Sequence, residues 1–243
     1  VHTQYSLLEA TCRVPKLVKK AVEYGMPAVA ITDNGNMFGA VEFYFNCKDA
    51  GIKPIIGMDV YIAPKSRFSK GEDRETAQLP NKRLVLLAQS YEGYQNLCKI
   101  SSIGYQEGFY YKPRIDFEVL RAYNKDIICL TGNSQGEVAY ALQRFGREAA
   151  LEKIRELQEI YPDRLFLELN RTGTPEWDEI NAFLIEASKI TGAPVVATNN
   201  VHYLVQEDQV AQEVLICIGS NKTLQDESRF RLGSDQFYFK SPA

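Results

Sequence analysis

Residues 25–35 read GMPAVAITDNG: a glycine, a short apolar run over residues 28–32, and then Asp33, Asn34 and Gly35. The run is too short for a helix, and it is nearly continuous in Ala, Val and Ile, as a strand covered on both faces must be. Its polar residues sit together at its carboxyl end. Upstream, Val14, Leu17, Val18, Ala21 and Val22 recur at helical spacing, and residues 40–47 repeat that pattern downstream. The same unit of helix, glycine and apolar run extends along the chain. Further strands are predicted over residues 54–63, 83–88, 126–131, 164–169 and 194–198, with helices over 182–190 and 210–218. This alternation predicts a parallel α/β sheet, either a barrel or a doubly wound sheet. Six runs and a stub at residues 1–3 suggest a barrel of about seven strands.

Several strands end in polar groups. Ile55 and Ile56 of the second run lead to Asp59, Asn133 follows the fourth run, and Asn199-Asn200-Val201-His202 the last. Such residues at successive carboxyl ends mark the functional rim of a parallel barrel, although each alone is also an ordinary turn former. Helix boundaries are legible too. Ser134 and Glu137 are spaced as a capping box, Gly146 is placed to end that helix, and Thr174-Pro175-Glu176 reads as a cap with proline in the first turn. Gly25 and Gly51 fall where helices end. Residues 64–81, with Lys65, Arg67, Lys70, Glu72, Asp73, Arg74 and Glu75, read as a solvated loop. Gly108 to Arg114, GFYYKPR, sets aromatics beside two cations, which suits either base stacking or packing against a neighbouring domain. Residues 222–243 are aromatic but not helical in pattern.

Composition narrows the class. The 243 residues carry 28 Lys plus Arg against 31 Asp plus Glu, a net charge of −3, which disfavours a surface wholly devoted to nucleic acid. The longest apolar runs fall far short of a membrane span, and no basic-then-apolar leader opens the sequence, so the expectation is a cytoplasmic protein without membrane contact. A start at Val1 rather than Met implies that part of the natural beginning is missing. Cys12, Cys47, Cys98, Cys129 and Cys217 are scattered, with no close pair, and read as free thiols. His2 and His202 are the only histidines. In a closed barrel the first and last strands are neighbours, so these two could meet on one rim. With Glu9 and Asp59 they would form a set of two imidazoles and two carboxylates of metal-binding type.

The stretches VHTQYSLLEA, GMPAVAITDNGNMFGAVEFY, AGIKPIIGMDVYIAP, LVLLAQSYEGYQNL, GFYYKPRID, PVVATNNVHYL and FRLGSDQFYFKSP resemble, in that order, the PHP (polymerase and histidinol phosphatase) domains that open bacterial DNA polymerase III alpha subunits. The resemblance covers nearly the whole chain. It implies a distorted (β/α)7 TIM-like barrel, a single PHP domain over residues 1–243, with residues 222–243 leading into the palm and thumb of a DNA-directed DNA polymerase. The polymerase carboxylates, and the Mg they use, would lie outside this chain.

Where the family's PHP site is intact, His, Asp, Glu and Cys side chains hold a metal cluster for phosphoesterase or 3′–5′ exonuclease chemistry. The resemblance places this site at His2, Glu9, Asn34, Asp59, Arg83, Asn133, Asn200 and His202. His2 matches the second His of an H-x-H-T motif whose first His would precede Val1. Asn34 replaces the His of TDHG, Asp59 the Glu of a GCE-type motif, Arg83 the His opening HLVLLA, Asn133 a Cys, and Asn200 the Asp of NDVHY. Only His2, Glu9, Asp59 and His202 keep chemistry fit for a metal, since a guanidinium stays protonated and donates only. The expectation is therefore a dismantled site with no cofactor of its own, in which Arg83 neutralises Asp59 or Glu9. Implied partners are the polymerase thumb and palm, a proofreading exonuclease subunit, and DNA through the parent polymerase. Two alternatives remain: a residual exonuclease or phosphoesterase using Zn or Mn, and a free-standing phosphatase of the histidinol-phosphate type.

Overall fold

The computed structural model describes residues 1–71 and 79–242. The elements run in the order α1 (Val14–Glu23), β1 (Ala28–Asn34), α2 (Ala40–Asp49), β2 (Lys53–Ile62), β3 (Lys82–Ala88), α3 (Tyr91–Gln106), β4 (Arg114–Ile115), α4 (Phe117–Ala122) and β5 (Ile127–Leu130). Then follow α5 (Glu137–Phe145), α6 (Arg147–Ile160), β6 (Leu165–Asn170), α7 (Glu176–Thr191), β7 (Val195–Thr198), a short 3-10 turn (Gln206–Asp208) and α8 (Gln209–Ser220). The loop reading of residues 64–81 falls partly on Glu72, Asp73, Arg74 and Glu75, which lie outside the described residues.

One seven-stranded sheet runs β1-β2-β3-β5-β6-β7, with the two-residue β4 added beside the end of β2. All six predicted strands are present. The prediction of a parallel sheet needs correcting, because β3 runs antiparallel to both β2 and β5. Continuous apolar sequence reports burial on both faces and carries no mark of direction. The stub at residues 1–3 is no strand either. Its backbone nonetheless bridges the two sheet ends: Thr32 N–H donates to the Val1 carbonyl at 2.8 Å, and His2 N–H donates to the Val201 carbonyl beyond β7 at 2.9 Å.

Local chemistry explains the elements. In α1, Pro15 sits in the first turn, and Val14, Leu17, Val18 and Ala21 form the buried stripe. Burying Leu17 alone contributes roughly 2 kcal/mol. The Ser134–Glu137 capping box does not form: α5 starts at Glu137 behind Gly136, without a side-chain cap. The chain has already turned tightly there, with Gly136 N–H on the Asn133 carbonyl at 2.7 Å. Thr174 does not cap α7 through its hydroxyl, which has no partner; its carbonyl takes the Trp177 N–H instead. Gly146 does end α5, at φ 88°.

Two apolar cores result. The larger joins β2, β3, β5 and β6 to α3, α5, α6 and α7, and the smaller packs α1 and α2 on β1 with Val201 and Phe239. Phe239 belongs to the final segment, which is tied back by a bridge between Tyr203 and Tyr238 and by Asn199 donating to the Tyr238 carbonyl at 2.6 Å. All five cysteines are free, four of them buried. Among the described residues, no helix is long and apolar enough to cross a membrane.

Candidate functional site at the polar end of the barrel

β1 runs into Asp33 and Asn34, and Gly35 turns the chain at φ 67°, where an added Cβ would lie 2.7 Å from Pro113. That turn sets Asn34 beside Asp59 of the adjacent strand. Because β3 is antiparallel, its first residues reach the same end, and Arg83 pairs with Tyr61. The residues following the amino terminus and those following β7 complete the ring.

Arg83 is the hub. Its Nε donates to Asp59 Oδ1 and one terminal nitrogen to Asp59 Oδ2, each at 2.9 Å, and that nitrogen also donates to Asn34 Oδ1. The guanidinium lies over the Tyr61 ring, 4.3 Å from its centroid. Asn34 Nδ2 donates to Glu9, whose second oxygen accepts from Lys112 Nζ. On the other side, His2 Nε2 pairs with Asn200 Oδ1 at 2.8 Å and stands 3.9 Å from Asp59. The His2 and His202 rings stack with centroids 4.6 Å apart. His202 Nδ1 is 2.7 Å from the Glu9 carbonyl oxygen, so that nitrogen carries the proton and donates.

Electrostatics follow this geometry. Burial holds His2 well below the usual histidine range, with His202 and Arg83 acting in the same direction. Burial also lowers His202, to about 4, although the hydrogen bond to the Glu9 carbonyl pulls it back up. Both imidazoles are therefore neutral at pH 7. Burial pushes the Asp59 carboxyl up, while Arg83 opposes that shift through charge and hydrogen bonds. Burial opposes charge on Lys112 as well, but the hydrogen bond to Glu9 outweighs it and raises the ammonium.

Of the eight predicted site residues, seven are brought together: His2, Glu9, Asn34, Asp59, Arg83, Asn200 and His202. Asn133 is the exception in its contacts. It shapes its own loop, its Oδ1 accepting from Gln135 N–H at 2.8 Å. Among the described residues, no group of three His, Cys, Asp or Glu side chains could hold a metal ion.

Two acids stand outside the predicted site set: Asp33, which the sequence places on the rim, and Glu168, which it does not single out. Asp33 is buried and accepts from Thr3 N–H at 2.6 Å, Thr3 Oγ1 at 2.7 Å and Ser6 Oγ at 2.7 Å, which anchors the amino-terminal loop. Glu168 on β6 accepts from Thr198 Oγ1, while its Oε2 is buried without a partner. Burial pushes it up to about 7. The signal for Glu168 was present: an acid inside an otherwise apolar strand, LFLELN.

The GFYYKPR segment is occupied from within. Arg114 is buried and donates to the carbonyls of Gly108, Arg67 and Ser69, and Lys112 is held by Glu9. Both cations are thus engaged within the chain, Arg114 by three carbonyls and Lys112 by Glu9.

A profile of the PHP domain family matches residues 1–172. The DNA polymerase III subunit alpha of Chlamydia trachomatis serovar D is 41% identical over 272 residues, covering 99% of this chain and 22% of that protein. The DNA polymerase III subunit alpha of Treponema pallidum is 41% identical over 242 residues, with 99% and 20% covered. The chain thus spans about a fifth of the length of the curated relatives it matches. Among solved structures, an amidohydrolase from Chromobacterium violaceum superposes with a TM-score of 0.50 at 10% identity, covering 80% of this chain and 84% of that one, a likeness of fold alone.

Proposed function

The chain belongs to the PHP domain family, and from that premise we propose that it is the amino-terminal module of a replicative DNA polymerase alpha subunit whose own barrel site is chemically silent. The parent would be a cytoplasmic DNA-directed DNA polymerase, a nucleotidyltransferase that uses Mg at carboxylates outside this chain. Residues 222–243 would lead toward its palm and thumb. Similarity to DNA polymerase III alpha subunits along nearly the full chain supports this placement.

The observation that carries the silent site is the bidentate Arg83–Asp59 pair. A metal cluster relies on anionic and imidazole ligands that offset its charge and generate bound hydroxide. Here the set contributes two neutral amides, Asn34 and Asn200, and a permanent cation on the best-placed carboxylate. Glu9 is shared between Lys112 and Asn34, while His202, with Nδ1 held by a backbone carbonyl, keeps Nε2 as its one free ring nitrogen. These residues do not fit the cluster that the family implies. In this reading the pocket is structural: Arg83 supplies the positive charge that Asp59 requires, and the barrel serves as a docking module, including for a separate proofreading exonuclease subunit.

The test uses the full-length protein. Primer extension with Mg and deoxynucleotides is expected, together with capture of a purified proofreading exonuclease. No 3′–5′ degradation is expected with Mn or Zn. Degradation that disappears in both His202→Asn and Glu9→Gln would restore the exonuclease reading. Absence of primer extension would remove the polymerase placement, and failure to bind the exonuclease would remove that partner.

A further inference from the structure

At the opposite end of the strands from the polar pocket lies a groove of about 780 Å³ between α2 and α3. Its floor is formed by residues 54–56 of β2 and 87–88 of β3, and its walls by Val41, Tyr44 and Phe45 on one side and Tyr91 and Tyr94 on the other. The topology explains the opening. A parallel β–α–β connection lays a helix over the sheet, but β3 returns antiparallel to β2, so no crossover helix is needed between α2 and α3. The apolar walls stay open: Tyr91 is 74% exposed, and Val41 and Phe45 are each 59% exposed. At the amino end of α2 the two walls meet, with the Phe38 and Tyr105 rings 5.9 Å apart.

Two features bear on the kind of occupant this groove fits. Among the described residues that line it, Lys53 is the only charged one. Depletion of charge around an aromatic centre is the composition of a permanent interface, more apolar than those of partners that come and go. An open apolar strip of this extent is also an aggregation liability for a free-standing domain. In addition, about four-fifths of the length of the curated relatives lies outside the matched region, so in a protein of that kind a covalently attached occupant is at hand.

We propose that the α2–α3 groove receives an amphipathic helix from the remainder of the longer polypeptide, its apolar face between Phe45 and Tyr91 and a carboxylate opposite Lys53. An α-helix is about 10–12 Å across with its side chains, so the volume admits roughly a turn and a half at full depth, and more when only the apolar face enters. The inference rests on reading the chain as one module of a polymerase subunit, and it names the surface through which that module is held.

Tyrosine nitration with tetranitromethane, read residue by residue by peptide mass spectrometry on the dilute full-length protein, tests it. Tyr91 is expected to react at least roughly tenfold more slowly than a free tyrosine, as the core of an interface should. In full-length Phe45→Asp it should become reactive, and in Lys53→Glu partly so, which keeps the test open if the first variant folds poorly. Rapid nitration of Tyr91 in the wild type overturns the proposal. So does protection that appears only at concentrations where the protein self-associates, or only after a separate purified partner is added. Protection that persists in both variants places the cover elsewhere and also overturns it. Primer extension is scored separately, so loss of the polymerase reading and loss of the groove proposal are distinguishable.

Discussion

Asp59 on β2 and Glu168 on β6 lie inside the same barrel at nearly the same depth, 1% and 6% exposed, yet their surroundings differ. Asp59 meets a guanidinium through two parallel hydrogen bonds. Glu168 has one hydroxyl donor and an orphaned oxygen. Burial pushes both carboxyls up, but only Asp59 has a full counter-charge within hydrogen-bond reach. Depth therefore does not decide whether a buried acid is ionised; the partner does. The polar pocket tolerates its charges because Arg83 and Lys112 are matched to Asp59 and Glu9, whereas β6 carries an acid that sits between its two protonation states near neutral pH.

The strongest way to break the contrast is to remove the partner. Arg83→Ala leaves Asp59 buried and unpaired and should cost about 3–5 kcal/mol, a fall of roughly 10 °C in the barrel's melting transition. Replacing both members, as Arg83→Met with Asp59→Leu, should recover most of that loss. Calorimetry on the full-length variants checks both. An unchanged transition in Arg83→Ala would mean that the pair does not hold the pocket.

Glu168 sharpens the contrast from the other side. Its folded-state pKa is raised to about 7, so its contribution to stability is fully present below the ordinary glutamate range and is lost as pH rises through about 7. That interval corresponds to about 3 kcal/mol. Glu168→Gln should therefore raise stability at pH 8 by up to that amount and change little at pH 4. Denaturant titrations at the two pH values check it, and equal effects at both would show that Glu168 is ionised throughout.

His202 gives the acid limb. Its folded-state pKa is lowered to about 4, so stability is complete above about 6.5 and is lost as pH falls toward 4. His202→Asn should flatten this limb between pH 6.5 and 4, in unfolding measured across that range. The smallest effect belongs to Lys112→Ala. The pair with Glu9 is partly exposed, with the lysine side chain 44% accessible, and should be worth 1 kcal/mol or about that. A loss as large as that in Arg83→Ala would erase the distinction between rim and interior.

Much of this was legible in the sequence, for identifiable reasons. Strands such as 28–32 and 126–131 are apolar on both faces, and that pattern survives any direction or register. The direction of β3 was not legible, because the connection before it is long enough for either return. His2 and His202 stood out by scarcity, and Arg83 was reached through the resemblance to the PHP family, so the polar cluster could be drawn before its geometry was known. The hydrogen bond of Asn133 within its own loop was not legible, because an asparagine after a strand serves a turn as readily as a pocket. Glu168 was passed over although it is the one acid in LFLELN, because that mark alone does not say which face of the strand it occupies. The apolar groove was invisible for a related reason: Phe45 and Tyr91 look like core residues until the antiparallel return of β3 leaves them uncovered.

A protein cation, Arg83, and not a metal, is taken to balance Asp59 in the polar pocket. The most direct measurement is the tightly bound Mn, Zn and Fe content of the full-length protein purified without chelator, compared with its Asp59→Asn variant by elemental mass spectrometry. Equal contents in the two proteins are predicted, since no metal depends on Asp59. A wild-type content that exceeds the variant by one or more ions per chain would contradict the account.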